Sequence, residues 1–385
     1  MGAMQAAVGQ VTKAERLGSG PQTLIPVYRP DLSGNEQRYV MDCLETGWIS
    51  SLGVYVERFE RAIAERTGAA HAVATCNGTV ALHLALHGLG IGAGDEVIVP
   101  TFTYIASANA VSYTGARPVF ADSDPGDWLL DPASVEARVT PRTRAIMAVH
   151  LYGAACDMAA LRAIADRHGL ALVEDAAEAL GTTISGRHVG TLGDAAAFSF
   201  FGNKTVTTGE GGMAVCGGAA LAGRMRQARG QGQSLTRRYW HEAMGFNYRM
   251  TNVAAAIGCA QMERLDAILA RKRALAARYR ALLSGLPVTF QQARPGVESA
   301  EWLVSVLLPE EACRDAVMAR MAAHGVETRP VFYCAHTMPV QRQDVRLPVA
   351  EAIAARGVSL PSFPGLTEAE QDRVADALRE ALAVG

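Results

Sequence analysis

The sequence has little of what marks several protein classes. Its seven cysteines are odd in number, and no two are spaced as Cys-x-x-Cys, so the pattern indicates neither a disulfide framework nor a metal site. The net charge is −2 and charged residues make up 19% of the chain, which gives no reason to expect a nucleic acid or an anionic membrane as partner. No apolar run is long enough to span a bilayer. We therefore expect a cytoplasmic protein with reduced thiols.

The beginning of the chain lacks the basic segment and apolar core of a secretory signal. We expect residues 1–24 to form a disordered extension. The length of 385 residues exceeds that of one ordinary small domain, and 49% of the residues are hydrophobic. We predict a large domain over 25–265 and a small C-terminal domain over 266–385.

Short apolar runs alternate with helical patterns in the first two thirds of the chain. Strands are predicted over 72–75, 96–100, 118–121, 145–149, 170–173 and 196–200. Helical patterns lie between them, as over 158–168. This alternation is typical of an α/β fold whose mainly parallel sheet is sandwiched by helices. Ligands of such sheets collect at the carboxyl ends of the strands.

The pattern changes after residue 252. One long helix is predicted over 252–283, ended by a Ser-Gly-Leu-Pro turn. The remainder predicts a smaller α+β domain with a strand over 302–308, a helix over 312–324, a short edge-like strand over 327–331 and a final helix over 367–383.

Lys204 carries the strongest chemical signal. It follows an aromatic segment over 198–201 and precedes a glycine-rich run over 208–212, while Asp175 ends an apolar strand upstream. Partly desolvated surroundings favour an uncharged lysine amine, which can bond covalently to the aldehyde of pyridoxal phosphate. A buried carboxylate needs a protonated partner, and the pyridine nitrogen of that cofactor would supply one. An exposed lysine and a helix-capping or ion-paired aspartate are the plainer alternatives.

A phosphate site is indicated next to this lysine. Gly78 and Thr79 join a strand to a helix, where free N–H groups and the helix dipole attract an anion. Ser199 lies five residues before Lys204 and could reach the same phosphate. A purely structural turn and a hydrogen-bonded strand serine are the alternatives.

Two further residues could contact the cofactor ring. Glu178 follows Asp175 by three residues and could lie near the ring hydroxyl. Tyr104 follows the Pro-Thr-Phe-Thr turn over 100–103 and could stack on the ring face. A core aromatic residue is an equally good explanation of Tyr104.

Six motifs in this order resemble those of the DegT/DnrJ/StrS sugar aminotransferases, which are fold-type I pyridoxal phosphate enzymes. The motifs occupy residues 77–79, 96–100, 174–179, 198–204, 208–212 and 245–250. The resemblance implies that Lys204 bonds the cofactor and that Asp175 partners the pyridinium. It implies cofactor contacts for Glu178, Tyr104, Gly78, Thr79 and Ser199. It also implies that Asn247 reaches the phosphate of the second subunit, and hence a homodimer with shared active sites.

Within the family, residues 46–51, 149–153, 199–204, 230–232 and 237–240 look like the subgroup that makes GDP-perosamine. The implied reaction moves the amino group of L-glutamate to C4 of GDP-4-keto-6-deoxy-mannose, with pyridoxamine phosphate as the cofactor form between the two halves. The resemblance also implies a set of residues that contact the substrate, namely Trp48, Ser50, Arg249, Arg329 and His336.

The identity of the acceptor stays open, because the segment over 333–335 departs from the commoner family pattern. A dTDP- or UDP-linked keto sugar, a cyclitol ketone and an eight-carbon keto sugar are alternative acceptors. A non-catalytic regulator with this fold is a remote alternative. It predicts loss of Lys204 or Asp175, or an added DNA-binding domain, and the sequence has neither.

Overall fold

The computed structural model describes residues 24–234 and 236–383. Nearly all of the predicted N-terminal extension therefore lies outside the described residues. The helices are α1 (Glu36–Thr46), α2 (Val54–Thr67), α3 (Gly78–Gly88), α4 (Ala106–Tyr113), α5 (Pro132–Glu136), α6 (Met158–His168), α7 (Ala219–Arg229), α8 (Asn252–Met262), α9 (Leu265–Leu282), α10 (Arg314–Ala323), α11 (Pro348–Arg356) and α12 (Glu368–Ala383). Short 3-10 helices span Leu151–Gly153, Ala335–Thr337 and Pro339–Gln341.

The strands form three sheets. They are β1 (His71–Thr75), β2 (Glu96–Pro100), β3 (Arg117–Ala121), β4 (Thr143–Val149), β5 (Ala171–Asp175), β6 (Thr183–Ile184), β7 (Arg187–His188), β8 (Ala195–Ser199), β9 (Gly212–Cys216), β10 (Thr289–Phe290), β11 (Val297–Glu298), β12 (Ser305–Leu307), β13 (Arg329–Pro330) and β14 (Gly357–Ser359).

The largest sheet has seven strands in the order β1-β9-β8-β5-β4-β2-β3. Strand β9 is antiparallel to both of its neighbours, and the other pairs are parallel. The predicted α/β fold with a mainly parallel sheet is confirmed. The predicted strands of this region all occur, with ends that differ by up to two residues, and the helix predicted over 158–168 coincides with α6.

Both faces of the large sheet are covered, as alternation along β8 shows. Ala195 and Ala197 belong to a hydrophobic cluster with residues of α3, α4, α6 and α7. Ala196 and Phe198 belong to a second cluster with residues of α1, α2 and α8. Because successive side chains of a strand point to opposite faces, the small apolar residues of β8 let helices approach from either side.

The long helix predicted over 252–283 is interrupted. α8 ends at Met262 and α9 begins at Leu265. Between them Arg264 makes two hydrogen bonds, of 3.0 and 2.8 Å, to the carboxylate of Asp31. α8 packs against α1 and α2, whereas α9 packs against α12. The packing partners change close to residue 265, and the division into two domains there stays a prediction.

The C-terminal part is built on a four-stranded antiparallel sheet of order β10-β12-β14-β13. Strand β13 lies at its edge, as predicted. The strand predicted over 302–308 is limited to β12 (Ser305–Leu307). Ile25, from the start of the described chain, pairs with Val326 and lies in the hydrophobic cluster of α9, α10 and α12. The third sheet, β11-β6-β7, is a small antiparallel addition.

Candidate active site

A cavity of about 630 Å³ opens at the carboxyl ends of the parallel strands. Asp175 ends β5, Ser199 ends β8, and His150 follows β4. This is where a doubly covered parallel sheet places its ligands. The cavity brings together the predicted site residues Gly78, Thr79, Tyr104, Asp175, Glu178, Ser199, Lys204 and Arg329.

The amine of Lys204 points into this cavity and is held on two sides. Its Nζ lies 3.1 Å from Oε1 of Glu178 and 3.9 Å from the centre of the Trp302 ring. The side chain is only 13% exposed. The plainer alternative of a surface lysine is therefore wrong. An acidic oxygen and an aromatic face both attract an ammonium group, so these contacts fix the position of the nitrogen.

Asp175 lies deep in the cavity as a buried carboxylate. Its Oδ2 accepts a hydrogen bond of 2.7 Å from the hydroxyl of Ser107, and its Oδ1 accepts one of 3.1 Å from the N–H of Ala177. Burial raises the pKa of the Asp175 carboxyl, and these two hydrogen bonds oppose the rise. In the described part of the chain, no cationic side chain forms an ion pair with Asp175. The carboxylate can therefore accept a further charged donor.

Glu178 links the lysine to the loop after β4. Its Oε2 accepts a hydrogen bond of 2.9 Å from the N–H of Tyr152, while its Oε1 contacts Lys204. Burial raises the pKa of Glu178, and the Lys204 ammonium opposes that rise. Tyr152 has a φ of 57°, a left-handed conformation that is uncommon for a bulky residue. This backbone conformation occurs where the loop meets the Glu178 carboxylate.

At the end of the cavity where the phosphate is predicted, the backbone around Gly78 lies close to that around Ser199. A Cβ on Gly78 would lie 2.7 Å from Cβ of Ser199. A Cβ on Gly212 would lie 2.3 Å from the carbonyl oxygen of Asn77. Asn77 caps α3, its side chain accepting from the N–H of Val80. The first N–H groups of a helix have no partner within it, so the start of α3 offers donors to an anion beside Ser199.

Glu174 and Asp175 are neighbours in the chain with different surroundings. Glu174 is fully buried and accepts hydrogen bonds of 2.7 Å from the N–H groups of Gly190, Leu192 and Gly193. Nε2 of His150 lies 3.0 Å from it. Although burial acts in the opposite direction, His150 and the loop N–H groups hold the pKa of Glu174 below its usual range. Glu174 therefore fastens the loop over 190–193, whereas Asp175 faces the cavity.

An aromatic wall, which the sequence did not predict as part of the site, closes one side of the cavity. The ring of Tyr152 is stacked between Trp302, at 6.1 Å and 8°, and Phe332, at 5.6 Å and 10°. Tyr104 lies 5.7 Å from Phe332 and is 59% exposed, so it is not a core aromatic. Ser107, Tyr152, Trp302 and Phe332 come from four distant segments, and no spacing in the sequence relates them.

Five predicted residues are not brought to this cavity. Trp48, Ser50, Asn247 and Arg249 are exposed on the same chain. His336 is 4% exposed and does not line the cavity. Its Nδ1 lies 2.7 Å from the hydroxyl of Thr101 and its Nε2 lies 3.3 Å from Glu351. Both ring nitrogens have protein partners, so the expected direct contact of His336 with substrate is not supported by its position in this chain.

Pyridoxal phosphate fits the residues that are present. Its ring nitrogen would give the unpaired carboxylate of Asp175 a charged partner. Its phosphate would meet the N-terminus of α3, where Gly78 leaves no room for a side chain. Its aldehyde would meet the amine of Lys204.

The ranges 24–234 and 236–383 contain no cluster of acidic, His or Cys side chains able to hold a metal ion. None of the helices in these ranges has the length and apolar character to cross a bilayer.

Comparison with known proteins gives the same family as the motifs. The DegT/DnrJ/EryC1/StrS aminotransferase family matches residues 30–379. The GDP-perosamine synthase of Caulobacter vibrioides is 50% identical over 366 residues, which cover 93% of this chain and 98% of that protein. The GDP-perosamine synthase of Vibrio cholerae is 45% identical over 361 residues, which cover 92% and 98%. The solved structure of DesI in the presence of its TDP-sugar product is 38% identical, with a TM-score of 0.86 and 94% of each chain covered. The chain belongs to the DegT/DnrJ/EryC1/StrS aminotransferase family, whose cofactor is pyridoxal phosphate.

Proposed function

We propose that this aminotransferase moves the amino group of L-glutamate to C4 of GDP-4-keto-6-deoxy-mannose, giving GDP-perosamine. The observation that carries the choice of acceptor is the 50% identity to a GDP-perosamine synthase over 93% of the chain. The cavity supports the reaction class, since it combines a buried amine, a buried carboxylate and an anion-binding helix start. Pyridoxal phosphate, when bound, supplies the carbonyl that takes up and releases the amino group and a ring that withdraws electrons.

Lys204 is the proposed catalytic residue. Its Nζ would bond the cofactor when pyridoxal phosphate is present, and the same amine would carry a proton to or from the substrate carbon. Glu178, 3.1 Å away, keeps the amine at this position. Asp175 would hold the proton on the pyridine nitrogen, and Ser107 orients its carboxylate through a hydrogen bond of 2.7 Å.

The remaining cofactor contacts are proposed from the position of each residue at the cavity. Gly78, Thr79 and Ser199 bind the phosphate at the start of α3. Tyr104 covers a ring face, which its 59% exposure permits.

We propose that the active protein is a homodimer with shared sites. Asn247 is exposed and does not line the cavity of its own subunit, which leaves its side chain available to reach the phosphate of the other subunit. Large apolar residues are exposed around α1 and its following loop, where a dimer would cover them; they are Met41, Leu44, Trp48, Ile49, Leu52 and Val54.

The proposed substrate contacts fall into three groups. Arg329 lines the cavity on the edge strand β13 and can pair with a diphosphate. Trp48, Ser50 and Arg249 are exposed and would act across the dimer interface. His336 would act only through Thr101, which follows β2.

We also propose that the reaction takes place in the cytoplasm, in keeping with seven free cysteines.

A dTDP-linked keto sugar is the main competing acceptor. The similarity to DesI, whose structure holds a TDP-sugar product, supports this alternative at 38% identity. UDP-linked sugars, a cyclitol ketone and an eight-carbon keto sugar would use the same lysine. A non-catalytic regulator is disfavoured, because Lys204 and Asp175 are both present in one cavity.

The acceptor can be tested by separating the two halves of the reaction. The holoenzyme is treated with L-glutamate until the visible band of its cofactor disappears, and the glutamate is removed. GDP-, dTDP- and UDP-linked 4-keto-6-deoxy sugars are then added one at a time. Return of the band with the GDP sugar alone supports the proposal. Return with the dTDP sugar alone would replace it, and no response to glutamate would contradict the reaction class.

A further inference from the structure

A second buried lysine lies behind the wall of the cavity. The 36 basic residues of the chain include only three lysines, Lys13, Lys204 and Lys272. Lys272 lies in α9, is 1% exposed, and does not line the cavity. No carboxylate pairs with it in the described part of the chain. Burial lowers the pKa of Lys272 to about 7, so an amine at this place is unfavourable unless its hydrogen bonds are needed.

The hydrogen bonds of Lys272 reach two separate backbone segments. Its Nζ donates to the carbonyl oxygen of Trp302 at 2.8 Å and to that of Ser362 at 2.6 Å. The same Nζ lies 5.3 Å from the centre of the Tyr28 ring. An amine with several donors therefore ties together three segments that are remote in the sequence.

Two of those segments hold Lys204 directly. The Trp302 ring faces Nζ of Lys204 at 3.9 Å, and its Nε1 donates to the carbonyl oxygen of Asn203 at 2.6 Å. The hydroxyl of Tyr28 donates to the carbonyl oxygen of Lys204 itself at 2.7 Å. The backbone and the side chain of Lys204 are thus both fixed by residues that contact Lys272.

We propose that Lys272 is a positioning residue for the reactive amine, acting through Trp302 and Tyr28. This inference rests on the proposed role of Lys204. Without the hydrogen bond from Lys272, the main chain at Trp302 is no longer fixed, and its ring no longer stays against Lys204 Nζ. The amine then loses the aromatic face that favours its protonated form, while Glu178 remains.

The test follows the reactivity of Lys204 in the full chain stripped of cofactor. An amine-reactive reagent, trinitrobenzenesulfonate, is applied across a range of pH, and labelled peptides are mapped; three lysines make the assignment direct. Trp302→Leu should lower the pH of half-maximal labelling at Lys204 by about 0.5 to 1 unit, as expected for loss of a cation–π contact. Lys272→Met should lower it in the same direction.

Arg271→Met is the matched control. Arg271 precedes Lys272 in α9 and bonds the carbonyl oxygen of Pro364, two residues beyond Ser362. It should leave the labelling midpoint of Lys204 unchanged. If Lys272→Met does not fold, Lys272→Gln supplies a polar side chain that is too short to bond both carbonyl oxygens, and it should give the same fall.

Two results would overturn the proposal. A rise of the midpoint on loss of Lys272 would mean that it acts only as a nearby positive charge. An unchanged midpoint in a folded variant would mean that it only supports the fold. The proposed function is judged separately, since pyridoxal phosphate should protect Lys204 of the unaltered protein from labelling.

Discussion

Replacing Gly78 by alanine should weaken binding of the cofactor phosphate. The new Cβ would lie 2.7 Å from Cβ and 3.2 Å from Cα of Ser199, whereas carbon atoms prefer separations of about 3.5 Å or more. Because the Cα atom belongs to the main chain, rotation of the serine side chain cannot remove the overlap. Overpacking of this kind costs about 1–3 kcal/mol. If that cost opposes binding of the phosphate, affinity drops roughly 5- to 150-fold.

Pyridoxamine phosphate is the suitable ligand for this measurement, since it has no aldehyde and cannot bond to Lys204. Its dissociation constant would be measured by titration calorimetry for the unaltered protein and for Gly78→Ala. Gly202→Ala is the control, because Gly202 lies in the same region but a Cβ there meets nothing within 4 Å. Pyridoxamine without phosphate would show whether the loss is confined to the phosphate. Equal affinity of the two alanine variants for pyridoxamine phosphate would refute the reasoning.

Three further changes probe other parts of the account. Asp175→Asn removes the buried carboxylate that we assign to the pyridinium. Loss of such a pair is worth about 3–5 kcal/mol and should lower kcat by roughly 10² to 10⁴; a rate near that of the unaltered enzyme would remove Asp175 from the mechanism. Lys204→Ala and Asn247→Asp should each be inactive alone. When equal amounts of the two variants exchange subunits, about half of the dimers are hybrids with one intact site, so about a quarter of the activity of the unaltered enzyme should return. No recovery would place Asn247 in the site of its own subunit. Burial lowers the pKa of His83 from 6.5 to about 4, so between these values the unfolded chain binds the extra proton and the folded chain does not. Unfolding free energy should therefore decrease as pH falls through that window, by roughly 1–3 kcal/mol, and His83→Phe should flatten this dependence in denaturant titrations; an unaltered slope would show that His83 does not cause it.

The order of strands and helices could be predicted because each one has a local signal. The β5 strand is a run of three apolar residues followed by Glu174 and Asp175, and the periodicity over 158–168 matches α6 residue for residue. The break between α8 and α9 has no such signal, since Arg264 bonds Asp31 from 233 residues away. Tertiary contact decides that boundary.

The same distinction holds for the site. Asp175 and Gly78 could be predicted because they lie at the end of a strand and at the start of a helix. Lys204 could be predicted because it lies between an aromatic segment and a glycine-rich run. Trp302 was expected to begin a strand, but its main chain donates to the carbonyl of Tyr152 and its ring turns to the cavity. His336 matched a motif, yet its ring is taken up by Thr101 and Glu351. Motif position does not report which way a side chain points.

The central claim is that Lys204 is the amine that bonds the cofactor. The most direct measurement is borohydride reduction of the holoenzyme, which fixes the cofactor on its amine, followed by peptide mapping by mass spectrometry. The chain has only three lysines, so the outcome is unambiguous. The account predicts the added mass on the peptide that contains Lys204. Its appearance on Lys13 or Lys272, or the absence of any fixed cofactor, would contradict the account.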